Sequence, residues 1–215
     1  MPMAVKKHVK QAPAETADPP VRDRILAAAF SAFTERGFAE TSTLEIATRA
    51  KASKRELYAL FGNKQDMLIA CISERAKRLQ LPVDLPELRD REALRATLAA
   101  FGARLVREVS EPAVVAMFRL AIAEAARTPD IAQALNGIAI AASREALREI
   151  MRRARSAGLL DGEPAEMAAQ FFGLLWGNLM LGLLLGIAER PNQREIARRA
   201  EAASVAFLRA YPESA

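Results

Sequence analysis

Residues 42–64 read STLEIATRAKASKRELYALFGNK, two short amphipathic patterns joined by a break. Ser42 followed three residues later by Glu45 has the spacing of a capping box. In it the hydroxyl satisfies a free amide of the first turn and the carboxylate reaches back to the cap. Ile46, Ala47 and Ala50 then recur on one face. Periodicity stops at Lys51-Ala52, and Ser53 with Glu56 opens a second helix whose apolar face is Leu57, Leu60 and Phe61. Lys54 and Arg55 occupy its first turn. Two short helices, a tight turn and basic residues at the start of the second predict a helix-turn-helix that reads the DNA major groove.

Upstream, Ile25, Leu26, Ala29, Phe30 and Phe33 form a helical stripe that Gly37 ends, with Asp18-Pro19 as its start signal. Residues 1–20, rich in Pro, Ala and charge and holding His8, the sole histidine, read as a disordered arm. Downstream, Asn63 caps a helix from Lys64 through Met67, Leu68, Cys71, Ile72 and Leu79, which the prolines of 81–86 break. Five more helical patterns follow at about 88–109, 112–127, 130–157, 164–189 and 193–210. Ser110-Glu111-Pro112, Thr128-Pro129, Gly158, Gly162-Glu163-Pro164 and Arg190-Pro191 separate them. No stretch alternates as a strand does, so the fold class is all-α with nine helices.

The chain has 215 residues, 51% of them hydrophobic and 6% aromatic, enough for a core in one unit or two small domains. Its formal charge is +5, and Arg49, Lys51, Lys54, Arg55 and Lys64 cluster in the 42–64 run against Glu45 and Glu56. A basic bias there suits phosphate contact. One cysteine, Cys71, permits no intramolecular disulfide and points to a reducing cytoplasm. It reads as a buried core thiol, with a redox sensor as the alternative.

The run Thr41–Lys64 resembles the DNA-binding domain of TetR/AcrR-type transcriptional regulators. It matches at Thr41, Ser42, Ile46, Ala47, Ala50, Ser53, Leu57, Tyr58, Phe61 and Lys64, and Ile25–Gly37 resembles that family's first helix. Three positions depart: Lys51 stands where glycine is usual, Leu44 where a polar residue is, and Leu60 where an aromatic is. Further similarity lies in 118–124, 168–172 and 207–211, so the resemblance spans about 20–212. It implies a nine-helix architecture with a three-helix head at 21–66 and a ligand-binding and dimerisation domain at 67–215. The implied function is a ligand-responsive repressor that binds a palindromic double-stranded DNA operator as a homodimer. Expected phosphate anchors are Ser42, Thr43, Tyr58 and Lys64. Lys54 and Arg55 are expected to approach base edges or flanking phosphates, Glu56 reads either as an acceptor from cytosine or as a cap, and Ser53 completes the expected DNA-binding set. Met117, Phe118, Phe171, Phe172, Trp176 and Met180 are candidate linings for a small apolar ligand, each of which also reads as plain core. The dimer interface is expected on the last two long helices at Gly173, Gly177, Leu181, Leu184 and Phe207.

Residues 171–188 hold eighteen positions without a charge. That meets the lower length limit for a membrane span, and an all-helical membrane-associated protein is the alternative reading. Asn178 and four glycines interrupt the segment, and such a helix can instead be buried on all sides, part against its own domain and part against a partner subunit. The small-residue pairs Gly173/Gly177 and Gly182/Gly186 permit close helix approach. No phosphate loop, metal-ligand cluster or nucleophile elbow is present in the sequence, so no catalysis, cofactor or metal is expected. Membrane attachment is not expected either, and the cytoplasm is the expected compartment.

Overall fold

The stripe of Ile25, Ala29, Phe30 and Phe33 becomes the buried face of α1 (Val21–Arg36). The computed structural model describes residues 19–76, 87–126 and 129–213. Most of the expected arm, His8 included, and the break at 81–86 lie outside them. Helix α1 starts two residues later than Asp18-Pro19 suggested, because the Pro20 carbonyl accepts the first amides, from Asp23 and Arg24. Thr43–Arg49 (α2) and Lys54–Phe61 (α3) cross its buried face, placing Ile46, Leu57 and Phe61 in a common core.

Helix α4 (Lys64–Ala76) runs unbroken across residues 66 and 67, where the head was expected to end. Asn63 caps it: Oδ1 accepts from the Asp66 amide at 2.8 Å. Met67, Leu68, Cys71 and Ile72 are buried, and α4 packs on α1 on one side and on the segment 129–140 on the other.

The remaining helices are α5 (Arg91–Val109), α6 (Pro112–Glu124), α7 (Pro129–Ala134), α8 (Ala141–Ser156), α9 (Pro164–Trp176), α10 (Leu179–Leu185) and α11 (Gln193–Ala210). A π-helical stretch, Leu135–Ile140, joins α7 to α8. Counting that joined rod once, the described residues form ten helices and no strand. The tenth arises where the expected helix 164–189 breaks at Gly177-Asn178, bending by 56°. Gly177 ends α9 at φ 44° and ψ −125°, a backbone state open to glycine and strained for other residues. Two guanidiniums from other helices satisfy the carbonyls at the C-terminal ends of α9 and α10. Arg199 of α11 donates to Leu175 and Trp176, and Arg119 of α6 donates to Leu183 and Leu184.

Helices α5, α9 and α11 pack closely. A Cβ at Gly102 of α5 would lie 3.0 Å from Leu175 and 3.4 Å from Ala200. Phe171 sits edge-on to Phe207, with ring centroids 5.7 Å apart. Arg91 staples the far end, donating to the carbonyls of Leu159, Leu208 and Tyr211. Among the described residues no single helix is long and apolar enough to cross a membrane. Only the bent pair α9–α10 meets the length and composition together.

The open space beside Gly177, where the nearest atom to an added Cβ is 3.8 Å away, makes its requirement one of backbone conformation and not of crowding. Gly177→Ala is therefore expected to cost about 1–3 kcal/mol in a urea unfolding titration.

Candidate nucleic-acid interface and cavity

The second cap forms in full. Ser53 Oγ accepts from the Glu56 amide at 3.1 Å, and Glu56 accepts from the Ser53 amide at 2.8 Å and from its hydroxyl at 2.7 Å. These bonds hold the Glu56 carboxyl below its ordinary pKa. They also occupy it, so Glu56 acts here as a cap rather than a group presented to cytosine. The first cap is half formed. Ser42 Oγ accepts from the Glu45 amide at 3.1 Å, but the Glu45 carboxylate turns away to Arg49 at 2.6 Å and Arg36 at 3.2 Å.

The turn between α2 and α3 is a Schellman motif: the Ala52 amide donates to the Ala47 carbonyl and the Lys51 amide to that of Thr48. Its left-handed position is Lys51, at φ 50°, the one non-glycine with positive φ among the described residues. Arg24 of α1 pins the same turn by donating to Ala50 O at 3.2 Å.

The head's cations fall into two groups. Arg49 is bound to Glu35 at 2.7 Å and to Glu45. Lys64 departs from the expected phosphate role: its Nζ donates to the carbonyls of Phe38 at 2.8 Å, Thr41 at 3.1 Å and Ala39 at 3.3 Å. It also lies over the Phe38 ring. Its charge is spent tying α4 to the 38–41 loop, because freed carbonyls there face a lysine at a helix start. Lys51, Lys54 and Arg55 are exposed, and none forms an ion pair within the described residues. Beside them the Thr43 hydroxyl and the Tyr58 hydroxyl are 3.1 Å apart, joining the start of α2 to the middle of α3. Exposed Leu44 and Leu60 flank this surface. Unpaired donors thus converge on the first turn of α3, which is what groove entry by a helix N-terminus requires.

The second site is a cavity of about 480 Å³ among α5, α6, α8 and α9. Four expected residues line it: Phe118, Phe172, Trp176 and Met180. Two do not. Met117 and Phe171 are fully buried and point into the core, Phe171 against Phe207. Sequence reading missed the small wall of Ala165, Ala168 and Ala169 and the pair Arg144/Arg148. The signal was there: alanines three and four apart on α9 leave room opposite large side chains, and two arginines four apart share a face of α8.

The expected interface residues separate as well. Phe207 is fully buried in the chain's own core and Leu184 is half-buried against it, so neither presents a free surface. Gly173, Gly177 and Leu181 are exposed. Around them Leu174 is 43% exposed, Leu181 59%, Leu185 64% and Ile187 80%, an apolar face on α9–α10. Among the described residues no group of His, Cys, Asp and Glu could hold a metal ion.

Two outcomes follow from the head's geometry. Lys51→Gly is expected to raise stability by roughly 1 kcal/mol in the DNA-free protein, since the left-handed residue no longer carries a Cβ. Lys64→Met is expected to cost about 1–3 kcal/mol, the three carbonyls losing a charged donor, as read from the denaturant midpoint.

Two family models match the chain. Residues 25–71 match the bacterial regulatory proteins of the tetR family, and residues 96–213 match the C-terminal domain of AefR-like transcriptional repressors. No match was found among curated protein sequences. Among solved structures, the flavonoid-responsive regulator FrrA is 30% identical, with 91% of this chain and 98% of that one covered at a TM-score of 0.74. A TetR regulator from Agrobacterium tumefaciens is 26% identical over 91% of this chain and 96% of its own, with a TM-score of 0.76. One from Pseudomonas syringae pv. tomato DC3000 is 25% identical over 89% and 96%, with a TM-score of 0.68. With a head whose capped second helix presents unpaired cations, and with both halves matched, the chain belongs to the TetR family of DNA-binding transcriptional regulators.

Proposed function

We propose that the chain is a cytoplasmic, ligand-responsive repressor that binds a palindromic operator as a homodimer and acts by binding, not catalysis. The observation that carries the DNA reading is the pair Lys54 and Arg55, exposed and without ion-pair partners at the start of α3. Ser42, Ser53, Thr43 and Tyr58 supply the surrounding polar rim, with the Thr43–Tyr58 pair presenting hydroxyls to a phosphate. The description of the matched C-terminal domain as that of a repressor supports the sign of regulation. The apolar face of Leu174, Leu181 and Leu185 supports a second copy as the partner, since exposed apolar patches of this kind mark interaction sites. A dimer sets two reading heads about one helical turn apart, which matches palindromic half-sites.

FrrA is flavonoid-responsive, and the cavity supports response to a small molecule here too. Its wall includes Ile140, the last residue of the π-helical stretch that packs on α4. Gln65 of α4 also donates to Asp130 of α7 at 3.0 Å. A ligand that reshapes the cavity would move this stretch, and α4 would carry the shift to the head and change head spacing.

The direct test is gel-shift selection from random DNA with light scattering on the same sample. A selected palindrome bound by a dimer supports the reading, and a monomer that binds tightly overturns it. Arg55→Ala is expected to weaken selected-site binding by about 1–3 kcal/mol and to relax preference at one base per half-site. Unchanged preference in that variant would remove Arg55 from the base-reading set.

A further inference from the structure

The charge on the cavity wall is of one sign. The wall is apolar over Leu105, Phe118, Phe172, Trp176 and Met180, and the charged side chains among its described residues are Arg144 and Arg148. No described carboxylate lines it. The two arginines stand four apart on α8 and so share one face. Arg148 lies 3.5 Å from Glu145, whereas Arg144 has no hydrogen bond or ion pair within the described residues. Both are exposed, so they form the mouth while the aromatic and aliphatic groups form the interior. A neutral apolar ligand gives two guanidiniums nothing to bind. An oxyanion does, because the planar fork pairs with carboxylate or phosphate oxygens and is weakly hydrated for a cation. The cavity, about 480 Å³, is within the roughly 300–1,000 Å³ of small-molecule sites.

We propose that this cavity takes an amphipathic anion, an apolar chain held among Phe118, Phe172, Trp176 and Met180 with its terminal oxyanion on Arg144 and Arg148. The proposal rests on the reading of the chain as a ligand-responsive regulator and gives that ligand a chemical class. It narrows the small apolar ligand expected from sequence to one that also carries an anionic head group.

Trp176 is the sole tryptophan of the chain and lines the cavity, so its emission reports occupancy. The full-length protein is titrated below the micellar range with dodecanoate, dodecanol and dodecyltrimethylammonium. Dodecanoate is expected to change the emission saturably, with a Kd about tenfold below that of dodecanol, and the cation to bind weakest. In the double variant Arg144→Ala with Arg148→Ala the advantage of dodecanoate over dodecanol is expected to vanish while dodecanol binds as before. Both positions are exposed, and an unchanged circular dichroism melt shows that the variant is folded. A parallel arm with dodecanoyl-coenzyme A separates the two sources of the anion. Tighter, arginine-dependent binding than dodecanoate assigns a carrier phosphate, and weaker binding assigns a free carboxylate, each supporting the class. Equal affinities for dodecanoate and dodecanol, an advantage that survives in the double variant, or no saturable change with any probe would overturn it. Operator binding by the same sample is measured without ligand. Its loss with anion selectivity intact defeats the regulator reading, and the reverse defeats the cavity assignment.

Discussion

Both halves of the molecule bury the same helix. Met67, Leu68, Cys71 and Ile72 of α4 are closed in by α1 on the head side and by the 129–140 segment on the other. The Cys71 thiol lies against the Leu26 carbonyl at 3.5 Å, and burial pushes its pKa up to about 12, which leaves it an inert packing group at neutral pH. Arg75 stacks over the Phe30 ring, and Lys64 ties the other end of α4 to the 38–41 loop. A helix packed at native density on both faces moves with its neighbours or not at all. Helix α3 packs on α4 as well as on α1 and α2, so the head and the C-terminal helices share α4 as a common support.

The segment on the far side of α4 is the irregular one. Leu135–Ile140 is π-helical inside an otherwise continuous rod, a rare geometry found frequently at functional sites. It touches α4 on one flank and ends at the cavity on the other. The break at Gly177-Asn178 has a related effect, because it turns α10 away from α9 and leaves Trp176 and Met180 on either side of the bend to close the cavity. Arg199 and Arg119 hold the exposed carbonyl ends of these two helices, where a cation also offsets the helix dipole. Arg199 thereby holds the interruption itself, and Arg119 holds the far end of the short helix that follows it.

Charge in the head is divided in the same way. Arg24, Arg49 and Lys64 spend their donors inside the chain, on a turn carbonyl, on Glu35 and Glu45, and on the 38–41 loop. They fix the angle between helices. Lys51, Lys54 and Arg55 remain outward. A count of basic residues in the 42–64 run treats Arg49 and Lys64 as one set with Lys51, Lys54 and Arg55, although only the last three are without an ion pair or hydrogen-bonded carbonyl within the described residues.

The sequence by itself determined the all-α class, both helix starts of the reader, the place of the tight turn between them and the family. Those features are local: caps act over three residues, helical stripes over four, and a Schellman turn over six. Tertiary structure decided what local pattern leaves degenerate. An apolar residue looks the same whether it faces a core, a cavity or a partner, so Met117, Phe171 and Phe207 went into the core while Phe118, Phe172 and Trp176 reached the cavity. A lysine looks the same whether its partner is a phosphate or a carbonyl 26 residues away, which is why Lys64 turned inward. The uncharged run 171–188 read as one helix because glycine carries no side chain to reveal its φ. The bend at Gly177 emerges only in the packed chain, where Arg199 of α11 takes up the carbonyls that end α9.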